Sequence, residues 1–348
     1  MNPINTALLS YGMSGEIFHA PLIEAHHGFA LTKIVQRNST KAQSRYPKVS
    51  IVKNIDDVIR DASVELVVVN TPNETHFPFA SQALEAGKHV IIEKPFSVTS
   101  EEGESLIALA KKKNKMLTVF QNRRWDGDFL TMRKIVEGKM VGSVAEFELH
   151  YDRYRNYIEE NTWKEESAPG TGILYNLGSH MLDQVVVLFG MPLELDARLG
   201  VQRPAGKVDD FYDVRLQYKD FHVIVKSSYL VREPGPRYIL HGTTGSFVKY
   251  GLDPQEQALK DGKHPGCLGW GTEPKEFWGK LNSIVGGLHM EGLIETIPGN
   301  YLSFYKNIYE VIREGKPLLV KPEESNDVIR LIEACVESNR TRSAIKVK

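Results

Sequence analysis

The sequence predicts an α/β protein: a Rossmann-like doubly wound parallel sheet, then an α+β domain carrying a large, mostly antiparallel open sheet. Three observations predict it. Short runs of β-branched residues alternate with helical patterns through the first third of the chain, whereas after about residue 122 the apolar residues recur with period two. Between the first apolar run and the first helical pattern lies "SYGMSG", residues 10–15, which falls one glycine short of the G-x-G-x-x-G turn that cradles dinucleotide phosphates.

In the first third, "TALLSY", "ALTKIVQ", "VELVVVN", "HVIIEK" and "MLTVFQ" are too continuously apolar to keep one wet face. They read as buried parallel strands. Between them, "THFPFASQALEAGK" sets Ala80, Ala83 and Leu84 in an apolar stripe with Gly87 as its stop, and "SEEGESLIALAKKKNK" starts at Ser100 as N-cap and ends in lysines. Farther on, "VAEFELHYDRY", "ELDARLGVQR", "FYDVRLQYKDFHVIVKSSYL" and "RYILHGTTGSFVKY" alternate like antiparallel strands with one open face. The helical stretch "LYNLGSHMLDQVVVLFG" interrupts them, and "NYLSFYKNIYEVIREG" and "ESNDVIRLIEACVESN" close the chain. The expected division is 1–122 for dinucleotide binding and 123–348 for substrate binding and oligomerisation, with the last helix packing back on the first domain.

A length of 348 residues with 41% apolar content supports two cores of ordinary size. The 43 basic and 44 acidic side chains nearly cancel, which argues against nucleic acid or an anionic membrane as partner and for a small molecule. Cys267 and Cys335 are too few for a disulfide framework and are not spaced for zinc, so no metal is expected. "MNPINTALLS" lacks the features of a secretion signal, and no run approaches the ~20 apolar residues of a membrane span. A cytoplasmic location is expected.

In the glycine turn, Gly12 would let the backbone approach a pyrophosphate and Gly15 would let helix and strand pack closely, with Met13 and Ser14 between them offering amides. Ser10 at the first glycine place costs roughly 1 kcal/mol only if its backbone must be left-handed. At the end of the second strand, where a carboxylate would take the ribose of NAD, "IVQRNSTK" offers Arg37, Asn38, Ser39 and Lys41. These are donors for a 2′-phosphate, so NADP is expected ahead of NAD. The bland alternatives are a ligand-free glycine turn and a solvated charged loop. "HVIIEKPFS" then delivers Glu93 and Lys94 to the carboxyl edge of the sheet, where ligands of doubly wound folds bind.

Together with "VVVNTPNETH" (67–76) and "GTGILYNLGSHMLDQ" (170–184), that stretch resembles the glucose–fructose oxidoreductase and inositol dehydrogenase (Gfo/Idh/MocA) family over essentially the whole chain. "FHAPL", "NRRWDGDF" and "TWKEE" resemble its NADP-dependent scyllo-inositol dehydrogenase branch. The resemblance implies an NADP-dependent dehydrogenase or reductase acting on CH–OH groups of a cyclic polyol, sugar or sugar-derived ketone. It implies Lys94 as acid/base, His180 bonded to the same substrate oxygen or relaying its proton, and Asn176 in the catalytic set. It further implies that Thr71, Pro72, Asn73, His76, Glu93 and Lys94 line the cofactor and that Trp163 and Lys164 reach it from the second domain. Arg123 and Asp126 face substrate or pair with each other, and Asp183 either serves the site or is only a structural partner of the helix.

The chain departs from the family pattern at Ser10 and at Asn176, where aspartate is usual. An amide still donates and accepts, but it removes a negative charge that would favour the Lys94 ammonium, so that lysine is expected to lose its proton more readily. Two other readings are an NADP-sensing regulator without turnover and an NAD-dependent glycosidase. Retention of Lys94 and His180 opposes the first, and the second-strand donors oppose the second. Finally, "YDVRLQY" and "HVIVKSSYL" are expected to place large apolar groups on the outer sheet face, which a second copy would cover in a homodimer or homotetramer.

Overall fold

The computed structural model describes residues 2–160 and 162–347. It divides into two compact units, Met1–Trp125 with Pro254–Trp270 and Asn300–Asn326, and Asp126–Asp253 with Gly271–Gly299 and Asp327–Lys348.

The first unit is built on β1 (Ile4–Leu8), β2 (Phe29–Val35), β3 (Ser50–Val52), β4 (Leu66–Val69), β5 (His89–Ile92) and β6 (Leu117–Val119). Their order is β3-β2-β1-β4-β5-β6 and every pair is parallel, so the doubly wound sheet reverses direction between β1 and β4. All four residues of β4 are buried, as a strand covered on both faces requires. The connecting helices are α1 (Ala20–Ala25), α2 (Lys41–Arg45), α3 (Asp56–Ile59), α4 (His76–Glu85) and α5 (Ser100–Lys113). Ala80, Ala83 and Leu84 are buried on α4. The N-cap of α5 is Thr99 rather than Ser100: the Thr99 hydroxyl accepts from the Glu102 amide at 3.3 Å, because extended backbone at Thr99 points its side chain back over the first turn.

The second unit starts with α6 (Gly127–Glu137), β7 (Val144–His150) and α7 (Ser179–Phe189), and continues through β8 (Glu194–Gly200), β9 (Phe211–Gln217), β10 (His222–Ser228), β11 (Tyr238–Gly242), β12 (Gly245–Lys249), β13 (Gly279–Val285), β14 (Leu288–Ile294) and β15 (Ile345–Lys346). The sheet order is β14-β13-β12-β11-β7-β10-β9-β8-β15, antiparallel except for the pair β7–β10. One side of the sheet buries Phe147, Leu149, Tyr212, Val214, Leu216, Val223 and Val225, and Phe189 of α7 sets its ring 5.7 Å from that of Phe147. The other side carries ion pairs, Glu146–His222 at 2.7 Å, Glu148–His150 at 2.7 Å and Asp213–Lys226 at 3.5 Å. The expectation of an apolar outer face is therefore overturned. Strand parity sends Val214, Leu216, Val223 and Val225 to the same side as Phe147, leaving charged residues for the open side.

Later segments return to the first unit. α8 (Gln255–Lys260) and α9 (Leu302–Glu314) bring Leu259, Phe304 and Tyr305 to a core that also holds Phe18, Phe29, Phe120, Trp270 and Tyr301. The boundary between the units falls within α10 (Pro322–Thr341): Glu324 meets Arg124 at 2.7 Å in the first unit, and the Ser338 hydroxyl accepts from the Ala197 amide at 2.9 Å in the second.

Candidate cofactor and substrate residues

The chain leaves β1 through Ser10–Met13 and enters a π-helical turn, Ser14–His19, that continues into α1. Ser10 replaces the missing glycine with a side-chain bond: its hydroxyl accepts from the Gly12 amide at 3.1 Å, and its carbonyl accepts from Asn70 Nδ2 at 2.9 Å. Ser10 is not among the described residues with positive φ, so the turn carries no strain there. A Cβ on Gly15 would collide with the Ser10 carbonyl oxygen and the Asn70 amide. Met13, the residue before the turn, is exposed and makes no side-chain cap, which leaves the leading amides to an anion.

Beyond β2, Arg37, Asn38 and Ser39 are all exposed. Gln36, at the place of the missing carboxylate, turns inward and accepts from the Ala42 amide at 3.1 Å. Ser39 Oγ accepts from the Lys41 amide at 3.2 Å, and Lys41 Nζ lies 3.3 Å from Glu16 Oε2, the acid of the neighbouring turn. At the carboxyl ends of β4 and β6, the buried atoms Asn70 Oδ1 and Gln121 Oε1 have no hydrogen-bond partner among the described residues. Uncapped amides, a cationic donor set and two open amide acceptors fit a dinucleotide.

Lys94 follows β5 and is half-buried. Its amide donates to Glu93 Oε2 at 3.0 Å, while Glu93 Oε1 lies 3.0 Å from His19 Nε2 and the Tyr305 hydroxyl lies 2.7 Å from His19 Nδ1. Burial alone would lift the Glu93 carboxyl, but the bond from His19 and the positive groups around it hold it below the usual carboxylate range. The Lys94–Pro95 peptide is cis. His76 is fully buried, with Nδ1 2.8 Å from the Pro95 carbonyl and Nε2 3.0 Å from that of Thr71. Burial depresses its pKa, so the neutral ring can donate to only one of these carbonyls at a time. His76 thus sits beneath the turn of Thr71, Pro72 and Asn73, and the Thr75 hydroxyl donates to that of Thr71 at 2.6 Å. Arg123 is buried and meets Glu256 at 2.5 Å; burial opposes ionisation of that carboxyl, yet Arg123 and Lys260 bring it down to about 2.

In the second unit, a π-helical turn, Leu174–Gly178, leads into α7. Asp209 governs its start. Asp209 Oδ2 accepts from the Leu174 amide at 2.9 Å, its carbonyl accepts from the Ile173 amide at 2.9 Å, and Gly172, at φ +93°, has no room for a Cβ against the carboxylate. Asn176 is half-buried, with Nδ2 donating to the Tyr229 hydroxyl at 3.4 Å. His180 and Asp183 are buried on α7, and Asp126, also buried, is the residue before α6. Trp163 and Lys164 are exposed on a single turn, Trp163–Glu165, which Thr162 caps by accepting from the Lys164 amide at 3.4 Å.

Arg203 organises this region without any signal in the sequence, where it is a lone arginine in "VQRPAG". Its buried guanidinium reaches Glu165 at 2.8 Å, Asp210 at 2.9 Å and the Tyr157 carbonyl at 2.7 Å, and lies 4.8 Å from the centre of the Tyr229 ring. It fastens the turn of Trp163 and the tyrosine that meets Asn176. Asn70 and Gln121 are further residues that sequence reasoning passed over, although each is the polar residue that ends an apolar strand.

A parallel sheet of order 3-2-1-4-5-6 with a glycine turn after its first strand defines a Rossmann-like, dinucleotide-binding fold. The chain belongs to the Gfo/Idh/MocA oxidoreductase family: residues 4–121 match its NAD-binding Rossmann fold and residues 133–348 its C-terminal alpha/beta domain. It is 37% identical to the scyllo-inositol 2-dehydrogenase (NADP(+)) IolW of Bacillus subtilis, covering 100% of this chain and 97% of the relative. It is 39% identical to the oxidoreductase YdgJ of Escherichia coli, covering 98% of each chain. Among solved structures, the oxidoreductase YvaA of Bacillus subtilis matches with a TM-score of 0.96 at 37% identity over 100% of this chain and 99% of its own. An oxidoreductase of Bacteroides fragilis matches at 0.91 and 44% identity, over 99% and 100%. The chain is an oxidoreductase with a nicotinamide-dinucleotide domain. Among the described residues, no helix is long and apolar enough to cross a membrane.

Proposed function

We propose that this protein is an NADP-dependent dehydrogenase or reductase acting on a CH–OH group of a cyclic polyol, sugar or sugar-derived ketone, with Lys94 as its acid/base. The observation that carries the reading is the anchoring of Lys94 at the carboxyl end of β5, where its amide bonds to Glu93, Glu93 is held by His19, and His19 in turn by Tyr305. The bound nicotinamide would supply the hydride chemistry. Lys94 takes the hydroxyl proton during oxidation and returns it during reduction, His180 hydrogen-bonds the same oxygen, and Asn176 holds a neighbouring hydroxyl. Thr71, Pro72, Asn73 and Glu93 line the cofactor on the Rossmann side, with His76 supporting their turn. Trp163 and Lys164 also bind the cofactor, and Arg123 and Asp126 bind the substrate.

Arg37, Asn38 and Ser39 support NADP over NAD by at least about tenfold, or ~1.4 kcal/mol, a modest demand on one charge-assisted contact. Arg37→Asp should move that preference towards NAD in a fluorescence titration; unchanged selectivity would remove Arg37 from the site. We place the enzyme in the cytoplasm as a homodimer or homotetramer.

The central test follows nicotinamide absorbance over a panel of inositols, aldoses and ketoses with NADP and with NAD. Lys94→Met should lower kcat by at least about 1000-fold, ~4 kcal/mol, while leaving NADP affinity within a few-fold. Asn176 in place of aspartate keeps one other reading open, a cofactor-sensing regulator. Tight NADP binding without turnover on any of these compounds, and no effect of Lys94→Met, would establish it.

A further inference from the structure

Lys94 is seated by a chain of hydrogen bonds that gathers three parts of the first unit. Its amide donates to Glu93 Oε2 at 3.0 Å, Glu93 Oε1 lies 3.0 Å from His19 Nε2, and His19 Nδ1 lies 2.7 Å from the Tyr305 hydroxyl. Glu93 and Lys94 follow β5, His19 closes the π-helical turn after β1, and Tyr305 lies on α9, 286 residues beyond His19. The charged and titratable groups that face Glu93 are His19 from the turn, His76 from α4, Tyr305 from α9 and Lys94 beside it.

The chemistry of the groups gives each bond its direction. The Glu93 carboxyl is held below the usual carboxylate range, so it accepts and has no proton to give. His19 must then carry a proton on Nε2. In the neutral ring this leaves Nδ1 as the acceptor, and burial together with the Glu93 charge keeps the proton on the Tyr305 hydroxyl, which donates it there. Stability does not account for such a chain. Burying a histidine and a carboxylate strips both of water, and well-packed apolar residues in place of a buried pair are often neutral or better. His19 is fully buried with its ring 4.3 Å from that of Phe120, so an apolar side chain would find apolar company. What the chain supplies is aim. With one carboxylate oxygen fixed by His19, the other is turned to the Lys94 amide. His76 lacks this commitment, since its ring faces the carbonyls of both Thr71 and Pro95.

We infer that His19 is a positioning residue for Lys94: it commits its Nε2 proton to Glu93 Oε1, Tyr305 fixes the ring from Nδ1, and Glu93 Oε2 is thereby aimed at the Lys94 amide. Its effect on turnover rests on the acid/base role proposed for Lys94; its effect on the amide does not. The decisive pair of variants is His19→Asn and His19→Gln. Asparagine places its amide at the level of Nδ1, towards Tyr305, whereas glutamine carries a donor out to the level of Nε2, towards Glu93. In the cofactor-free protein, hydrogen exchange of the Lys94 amide should quicken at least about tenfold in His19→Asn and stay within about threefold of wild type in His19→Gln. On the compound of the panel that wild type turns over best, His19→Asn should lower kcat at least about tenfold with substrate KM and NADP affinity within about threefold, and His19→Gln should recover most of that loss. Lys94 exchange that is the same in the two variants overturns the inference, whatever the turnover. So does a kcat that His19→Asn leaves unchanged in an enzyme that is active. A wild type that turns over none of the panel sinks the acid/base reading of Lys94 instead, and the exchange comparison then decides on His19 by itself.

Discussion

Two helices in this protein begin with a π-helical turn, one after β1 and one before α7, and they use it in opposite ways. At Ser14–His19 the leading amides carry no side-chain cap, the residue before them is exposed, and Gly15 packs against the Ser10 carbonyl and the Asn70 amide. At Leu174–Gly178 the leading amides are consumed by Asp209, and what the turn presents is side chains, Asn176 and then His180. A wider helical turn shifts the following residues around the axis, which is why such turns gather at functional positions. The same device leaves peptide groups without a side-chain cap in one unit and presents polar side chains in the other.

Gly15→Val should break the first half of this comparison. The branched side chain cannot be placed beside the Ser10 carbonyl, so NADP affinity should fall at least about 100-fold, ~2.7 kcal/mol, in a fluorescence titration. A loss below tenfold would show that these amides do not hold phosphate. The matched change Gly172→Val, at φ +93° against Asp209, should lower the melting temperature and leave NADP affinity within twofold. Asn176→Ala sharpens the second half. Its substrate KM should rise about tenfold, ~1.4 kcal/mol, with the NADP dissociation constant unchanged, since only a hydroxyl-binding group is lost; an equal effect on cofactor affinity would dissolve the distinction between the two turns.

Asp209→Asn gives the smallest effect. Burial raises the Asp209 pKa above its ordinary 3.8, so the folded state holds that proton more tightly than the unfolded one. Its contribution to stability is full below pH 3.8 and is lost as pH rises through the raised value. The asparagine variant has no such loss. Its melting temperature relative to wild type should therefore improve between pH 4 and pH 7 by the equivalent of about 1 kcal/mol or less. A difference that stays flat with pH would place the Asp209 ionisation outside this range.

Where burial on both faces dictated the residues, the sequence was readable: β1, β2, β4, β5 and β6 each coincide with an apolar run, and the stripe on α4 is buried as its spacing requires. β3 escaped because three residues, one of them exposed, form no pattern. The β13–β14 hairpin escaped although its Gly-Gly turn is a hairpin signal, because β14 packs nothing on either face and shows no clean alternation. In the sheet, periodicity revealed strands but not which parity faces inward; that depends on where α7 lies, and Phe189 against Phe147 settles it. Glycines and Lys94 were legible because backbone conformation and position on a strand end follow from local sequence. Arg203 was not, since its worth comes from Glu165, Asp210 and Tyr229, partners that only the folded chain assembles.

The central place of β7 also has a consequence for how the second unit forms. β8, β9 and β10 are linked by pairing between neighbours in sequence, as are β11 with β12 and β13 with β14, and contacts of this kind close short loops at small entropic cost. No ladder joins β10 to β11 directly. β7 lies between them, parallel to one and antiparallel to the other, although it precedes both in the chain by the whole of α7, β8 and β9. The earliest strand of this sheet thus joins two later groups of strands, and the contacts that seat Val144–His150 close longer loops than the pairings within either group.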